Sequence, residues 1–180
     1  MQDQWPSSLR GRRPMIEGVQ NEDIKAEEET DMAESRDLSS VECEQLLRAG
    51  VVGRIAVSTP SGPHILPVNY SVVDDAIIFR TTPYSVLGTY GRNAQLAFEV
   101  DYFDYEDHKG WSVLARGRGD AVSDPDEIRH IRQEWEPRPW ADGQRNLYFK
   151  LRWAELTGRR LGNGWSHDNE VPVRRQLAGF

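Results

Sequence analysis

The stretch that decides the fold is Val51–Ser85, VVGRIAVSTPSGPHILPVNYSVVDDAIIFRTTPYS. Val51–Ser58, His64–Val72 and Ala76–Thr82 are rich in β-branched and aromatic residues, and Thr59-Pro60-Ser61-Gly62-Pro63 and Asp74-Asp75 supply turn chemistry between them. Two hairpins in a row make an antiparallel meander. The third run ends in Arg80-Thr81-Thr82, directly before a helix expected to start at Pro83 with Thr82 as its N-cap. In that arrangement the N–H groups near Tyr84 and Ser85 have no intrahelical partner and lie at the positive end of the helix dipole. Arg80 and the hydroxyls of Thr81, Thr82 and Ser85 surround them with further donors. A phosphate is the expected ligand of such a junction.

Working outward, Ser39 and Glu42 are spaced as a capping box for a first helix with Val41, Leu46 and Leu47 as its apolar stripe. Gly50 stands where a left-handed residue would end that helix. Asn93–Tyr102 reads as a fourth strand, with Leu96, Phe98 and Val100 on one face and Ala97, Glu99 and Asp101 on the other. Gly110–Val122 reads as a fifth, placing Trp111, Val113, Ala115 and Gly117 together. Asp124 and Pro125 open another helix whose buried side carries Ile128, Ile131 and Trp135. Leu147–Trp153, continuing toward Thr157, is the sixth strand. The expected class is mainly β with flanking helices, a six-stranded antiparallel barrel filled by side chains.

The chain has 180 residues and a formal net charge of −7. Residues 1–37 hold ten acidic and five basic residues and few large apolar ones, so they are expected to form a disordered acidic extension. The folded domain is expected over 38–162, with 163–180 as a tail. The acidic balance argues against nucleic acid as a partner. No apolar run long enough to span a membrane and no apolar signal segment occur, so no membrane association and a cytoplasmic location are expected. The single Cys43 allows no internal disulfide framework. The common patterns for zinc, nucleotide-phosphate and serine-nucleophile chemistry do not occur. Asp101–His108 is rich in potential ligands but matches no fixed ligand spacing, and no metal is expected there.

Five phrases in order, LLRAGVVGRIAV, GPHILPVNY, AIIFRTTPYSVLG, NAQLAFEVDYFD and GWSVLARGRGDAV, make residues 38–162 resemble the pyridoxamine 5'-phosphate oxidase-like split barrels, in the branch that includes nitroimidazole-resistance-type proteins. The resemblance implies a flavin mononucleotide-dependent oxidoreductase that acts on a small molecule and is a homodimer with cofactor at the subunit interface. It implies that Pro67, Val68, Asn69 and Tyr70 lie along the flavin ring. Arg80, Thr81, Thr82 and Ser85 would hold its phosphate, and Trp111 and Ser112 would reach the flavin held mainly by the other subunit. Many members of that family carry a lysine where this chain has Val86. Two alternatives stand beside it: a deazaflavin coenzyme, for whose long anionic tail Arg152, Arg159 and Arg160 could form a groove, and a non-enzymatic binding protein on the same fold. Hydride or electron transfer is the chemistry of the flavin itself, which accounts for the lack of a recognisable catalytic dyad.

Overall fold

The structure, a computed structural model, describes residues 35–163. Most of the expected N-terminal extension and nearly all of the C-terminal tail lie outside the described residues. The elements are β1 (Ser35–Asp37), α1 (Ser40–Ala49), β2 (Val52–Thr59), β3 (Gly62–Val73), β4 (Ala76–Thr81) and α2 (Val86–Tyr90). They continue as β5 (Gln95–Asp104), β6 (Lys109–Val122), α3 (Pro125–Trp135) and β7 (Leu147–Leu161).

Six strands close a ring in the order β7-β4-β3-β2-β5-β6, and β6 pairs back onto β7. Every pairing is antiparallel, as the hairpin chemistry of the meander requires. One strand was not legible. Ser35–Asp37 pairs with Arg159–Leu161, so the last three residues assigned to the extension are a short seventh strand. All three are exposed and polar, so no period-two pattern announces them. Their order comes from the register with β7 and from Arg36, whose guanidinium reaches Glu42 Oε1 at 2.8 Å.

Ile55, Ile77, Phe79, Phe98, Val113 and Phe149 fill the barrel interior and are fully buried. α1 plugs one end of it with Cys43, Leu46 and Leu47. Val41, expected on this stripe, is exposed. The capping box forms as read, Ser39 accepting from Glu42 N while the Glu42 carboxylate accepts from Ser39 N. Gly50 is extended, at φ −75°, and not left-handed. Its missing side chain serves close approach instead, because a Cβ there would run into the Tyr70 hydroxyl, which donates to Leu47 O at 2.6 Å.

A second apolar cluster lies on the outer face of the sheet. Val73, Ala76, Ile78, Val122 and Tyr148 are covered there by Ile131, with Ile128 and Trp135, from α3. That helix begins as read, with Asp124 as N-cap and Pro125 in the first turn. Between β6 and β7 the register shifts: Arg116 faces Glu155 and Gly117 faces Trp153, leaving Ala154 as an extra residue. Glycine is required at 117 because a Cβ would strike the Arg152 carbonyl. Among the described residues, no helix is long and apolar enough to cross a membrane.

Candidate functional site

Alternation along β4 divides its side chains between two environments. Ile77 and Phe79 join the barrel interior, whereas Ala76 and Ile78 join the outer cluster. Arg80 follows Ile78 outward. Its Nε donates to Arg145 O at 2.9 Å and its Nη1 to Glu136 Oε1 at 3.2 Å, and its guanidinium carbon lies 5.1 Å from the Tyr148 ring centre. Tyr148 donates its hydroxyl to Glu136 and accepts from Arg132 Nε at 3.0 Å. Burial pushes the Tyr148 phenol up from its ordinary range, and the bond to Glu136 pushes it further. Arg80 is thus held by a network that also ties α3 to the following segment, residues 136–146.

The junction after β4 differs from the sequence reading. α2 starts at Val86, and Ser85, not Thr82, is its cap, accepting from Gly88 N at 2.9 Å. Thr82 O accepts instead from both Ser85 N and Ser85 Oγ, closing a turn through Pro83 and Tyr84. Gly88 packs so closely on that carbonyl that any larger residue would collide with it. Ser85 gives its one proton to Thr82 O, so the 2.8 Å contact between Thr81 Oγ1 and Ser85 Oγ has Thr81 as donor. Both hydroxyls therefore organise the turn, and an anion here would find its donors on arginines.

Those arginines border a cavity of about 340 Å³. Its walls are Leu66–Asn69 of β3, Arg80 and Thr81 of β4, Ser85–Leu87, and Pro139, Ala141 and Arg145 from the 136–146 segment. No carboxylate is among them. Arg145 Nε is buried with no hydrogen-bond partner among the described residues. A second cavity, of about 470 Å³, meets the first at Pro67 and is lined largely by apolar groups, Tyr102, Trp111, Trp140, Val52 and Val100 among them. Trp140 N donates to Asn69 Oδ1 at 2.8 Å, pinning the 136–146 segment to β3 where the cavities adjoin.

Six of the residues singled out from sequence, Pro67, Val68, Asn69, Arg80, Thr81 and Ser85, therefore share one cavity. Four do not. Tyr70 turns into the barrel, 2% exposed, edge-on to Phe98. Thr82 contributes its carbonyl to the turn and lines neither cavity, and Ser112 lines neither as well. Trp111 is buried and borders the apolar cavity, its Nε1 unbonded among the described residues. Arg159 is exposed and the adjacent Arg160 buried, so with Arg152 they do not make one groove. Arg145, Glu136 and Trp140 were not singled out. In the acidic loop, Asp104 accepts from Glu106 N and Asp107 N and builds the turn, and Asp101 pairs with Arg54 at 2.7 Å. Among the described residues no group of three or more His, Cys, Asp or Glu is placed to hold a metal.

A family model described as pyridoxamine 5'-phosphate oxidase matches residues 39–160. The chain belongs to the pyridoxamine 5'-phosphate oxidase family. Among solved structures, it resembles an FAD binding protein from Mycobacterium smegmatis at 28% identity and a TM-score of 0.60, over 71% of this chain and 98% of that one. A Corynebacterium glutamicum structure, named provisionally for pyridoxamine 5'-phosphate oxidase, is 30% identical with a TM-score of 0.61, over 73% and 96% of the two chains. The uncharacterized protein Rv0080 of Mycobacterium tuberculosis is 28% identical, over 69% of this chain and 84% of its own. The two solved structures thus share this chain's fold over about 70% of its length.

Proposed function

We propose that this family member binds a phosphate-bearing flavin and works as an oxidoreductase on a small molecule. The observation that carries the reading is the meeting, at Pro67, of a cavity bordered by two arginines with one lined by aromatic and aliphatic groups. Flavin mononucleotide is the smallest flavin with a part for each. The residues present fit it. Arg80 and Arg145 would hold the phosphate, supplying the cationic charge that Val86 does not, and Pro67, Val68 and Trp111 offer apolar surface to the ring. Two buried donors without partners among the described residues, Arg145 Nε and Trp111 Nε1, belong to residues that line one cavity each, where a ligand with acceptors would satisfy them. The FAD-binding relative from Mycobacterium smegmatis lends further support.

When bound, the flavin would supply hydride or electron transfer on its ring. The chain's own part is to orient and shield. Neither cavity is lined by histidine or cysteine among the described residues, so a nucleophile–base pair is not the protein's contribution. Trp140, 75% exposed, and Val52, 38% exposed, border the apolar cavity and present apolar surface to solvent. A second copy covering that surface would shut water from the ring, which favours a homodimer with the site at its interface.

Titration of purified protein with flavin mononucleotide, followed by flavin fluorescence, tests the reading. Saturable binding is expected, weakened about ten-fold or more by Arg80→Ala, with riboflavin, which lacks the phosphate, losing far less. A protein that binds neither ligand would overturn the flavin assignment. Light scattering showing a monomer at micromolar concentration would remove the two-subunit site.

A further inference from the structure

We infer that the substrate of this chain is an uncharged, largely apolar molecule, and that the Arg54–Asp101 ion pair in the lining of the apolar cavity makes that selection. The inference rests on the flavin reading above and deepens it by naming the class of substrate.

A molecule that exchanges a hydride or electrons with a flavin ring must lie against the ring, so it shares the ring's cavity and that cavity's charge. Under the flavin reading this is the space of about 470 Å³ bordered by Trp111 and Trp140. Arg54 and Asp101 are the two charged residues in its lining among the described residues. Neither is free to meet a ligand. Arg54 Nη1 lies 2.7 Å from Asp101 Oδ1 and 3.5 Å from Glu99 Oε2, so one guanidinium answers two carboxylates.

The pairing is built into the sheet. Arg54 of β2 stands opposite Glu99 of β5, and Asp101 follows two residues later on the same face. Asp101 in turn stands opposite Ser112 of β6, so three hydrogen-bonded strands fix the backbone beneath the pair.

The neighbouring cavity has the opposite character. There Arg80 and Arg145 stand in a lining without a carboxylate among the described residues, and an anion is the fitting ligand. In the apolar cavity the charges are already matched, and the rest of the lining is glycine, proline, aliphatic and aromatic residues. An anionic group entering it would give up water for an arginine that two carboxylates already hold. A cationic group would meet an aspartate that is already paired, and Glu99 lies outside the lining. Each bears a desolvation cost that an uncharged group avoids. With the flavin phosphate on Arg80 and Arg145, a phosphorylated substrate would find no free guanidinium in either cavity. The phosphorylated amine for which the family is named therefore does not suit this chain.

The experiment loads the full-length protein with flavin mononucleotide and measures, by equilibrium dialysis, three ligands that share one ring system: methyl naphthyl ketone, naphthoate and naphthylmethylammonium. The uncharged ketone is expected to bind about ten-fold or more tightly than either ion. Asp101→Asn combined with Glu99→Gln frees the Arg54 guanidinium and should raise naphthoate affinity several-fold. Ketone binding should change little in that variant, which also shows that it is folded. Either ion binding the parent as tightly as the ketone, or no ketone binding, would overturn the inference and leave the flavin reading standing. Naphthoate affinity unchanged in the double variant would overturn it too, because the ion pair would then not be the selector. If flavin mononucleotide itself does not bind, the flavin reading fails, and the same ligands titrated into the unloaded protein decide the charge selection by the same criteria.

Discussion

The two apolar clusters of this protein use the same strands and do different work. The inner one is closed on itself. Phe79, Phe98 and Phe149 pack with aliphatic side chains from all six barrel strands and α1, and its one tyrosine hydroxyl there is satisfied by a helix-end carbonyl. The outer one is capped by a single amphipathic helix and ends in charge, with Tyr148, Glu136, Arg80 and Arg132 bonded in a ring at its margin. Opposite faces of one strand, β4, therefore serve the stability of the barrel and the placement of the cavity wall. Damage to the first should be read in unfolding, and damage to the second in ligand binding.

The largest expected effect is on the inner side. Phe98→Ala empties a fully buried site in the centre of β5 and should cost about 3–5 kcal/mol in chemical denaturation. If it cost no more than an outer substitution, the distinction between the clusters would collapse. Ile131→Ala removes the best buried residue of α3 and should cost about 2–3 kcal/mol, toward the low end of such truncations, because one helix can settle onto the sheet where a closed barrel cannot.

Tyr148→Phe sharpens the comparison further. It deletes a hydroxyl bonded to both Glu136 and Arg132 while keeping the ring between the two guanidinium groups, so about 1 kcal/mol of stability is at stake. Glu136 then holds Arg80 less firmly, and flavin affinity should change several-fold in the same variant. Unchanged affinity alongside lost stability would show that the network only fastens α3.

The smallest effect concerns acid. The Arg36 hydrogen bond, followed by those from Ser39, lowers the Glu42 carboxyl from 4.5 to about 2. Because its folded value lies below the unfolded one, its stabilisation is complete above pH 4.5 and is lost as the pH falls toward 2. The Glu42 side chain is 30% exposed and that of Arg36 52%, so solvent screening keeps the contribution below about 1 kcal/mol. Glu42→Gln should flatten this part of the acid-unfolding curve and leave neutral stability only slightly lower.

The barrel was legible because period two in β2–β6 assigns Ile55, Phe98 and Val113 to one face without reference to anything distant. The helix starts at Ser39 and Asp124 were legible for the same local reason. Thr82 was misjudged because a Thr-Pro pair caps a helix only if the chain continues straight into it. Here the carbonyl of Thr82 folds back over Gly88, and Ser85 takes the role. Arg145 was invisible because its place beside Arg80 depends on β4 and β7 being neighbours in the ring, across a sequence separation of 65 residues. Tyr70 lies on β3, next to residues that do reach the cavity, and its bond to Leu47 O and its edge contact with Phe98, both distant in sequence, hold it the other way.

The extra residue at Ala154 sets the phase of everything after it in β7. Before it Leu151 and Trp153 point toward the core, and after it Leu156, Gly158 and Arg160 do, so the inward positions pass from odd numbers to even. Gly158 then meets the first helix at a distance where a Cβ would lie 2.7 Å from Cys43 Sγ, and its carbonyl receives the Leu38 N–H. Were the same residues paired in a regular ladder without the bulge, Glu155, Thr157 and Arg159 would turn inward against α1. The chain should therefore tolerate deletion of Ala154, which leaves Trp153 and Leu156 on one face, far better than deletion of Thr157, which would bring Arg159 inward against α1 in place of Gly158, although both positions look equally unremarkable when read as letters.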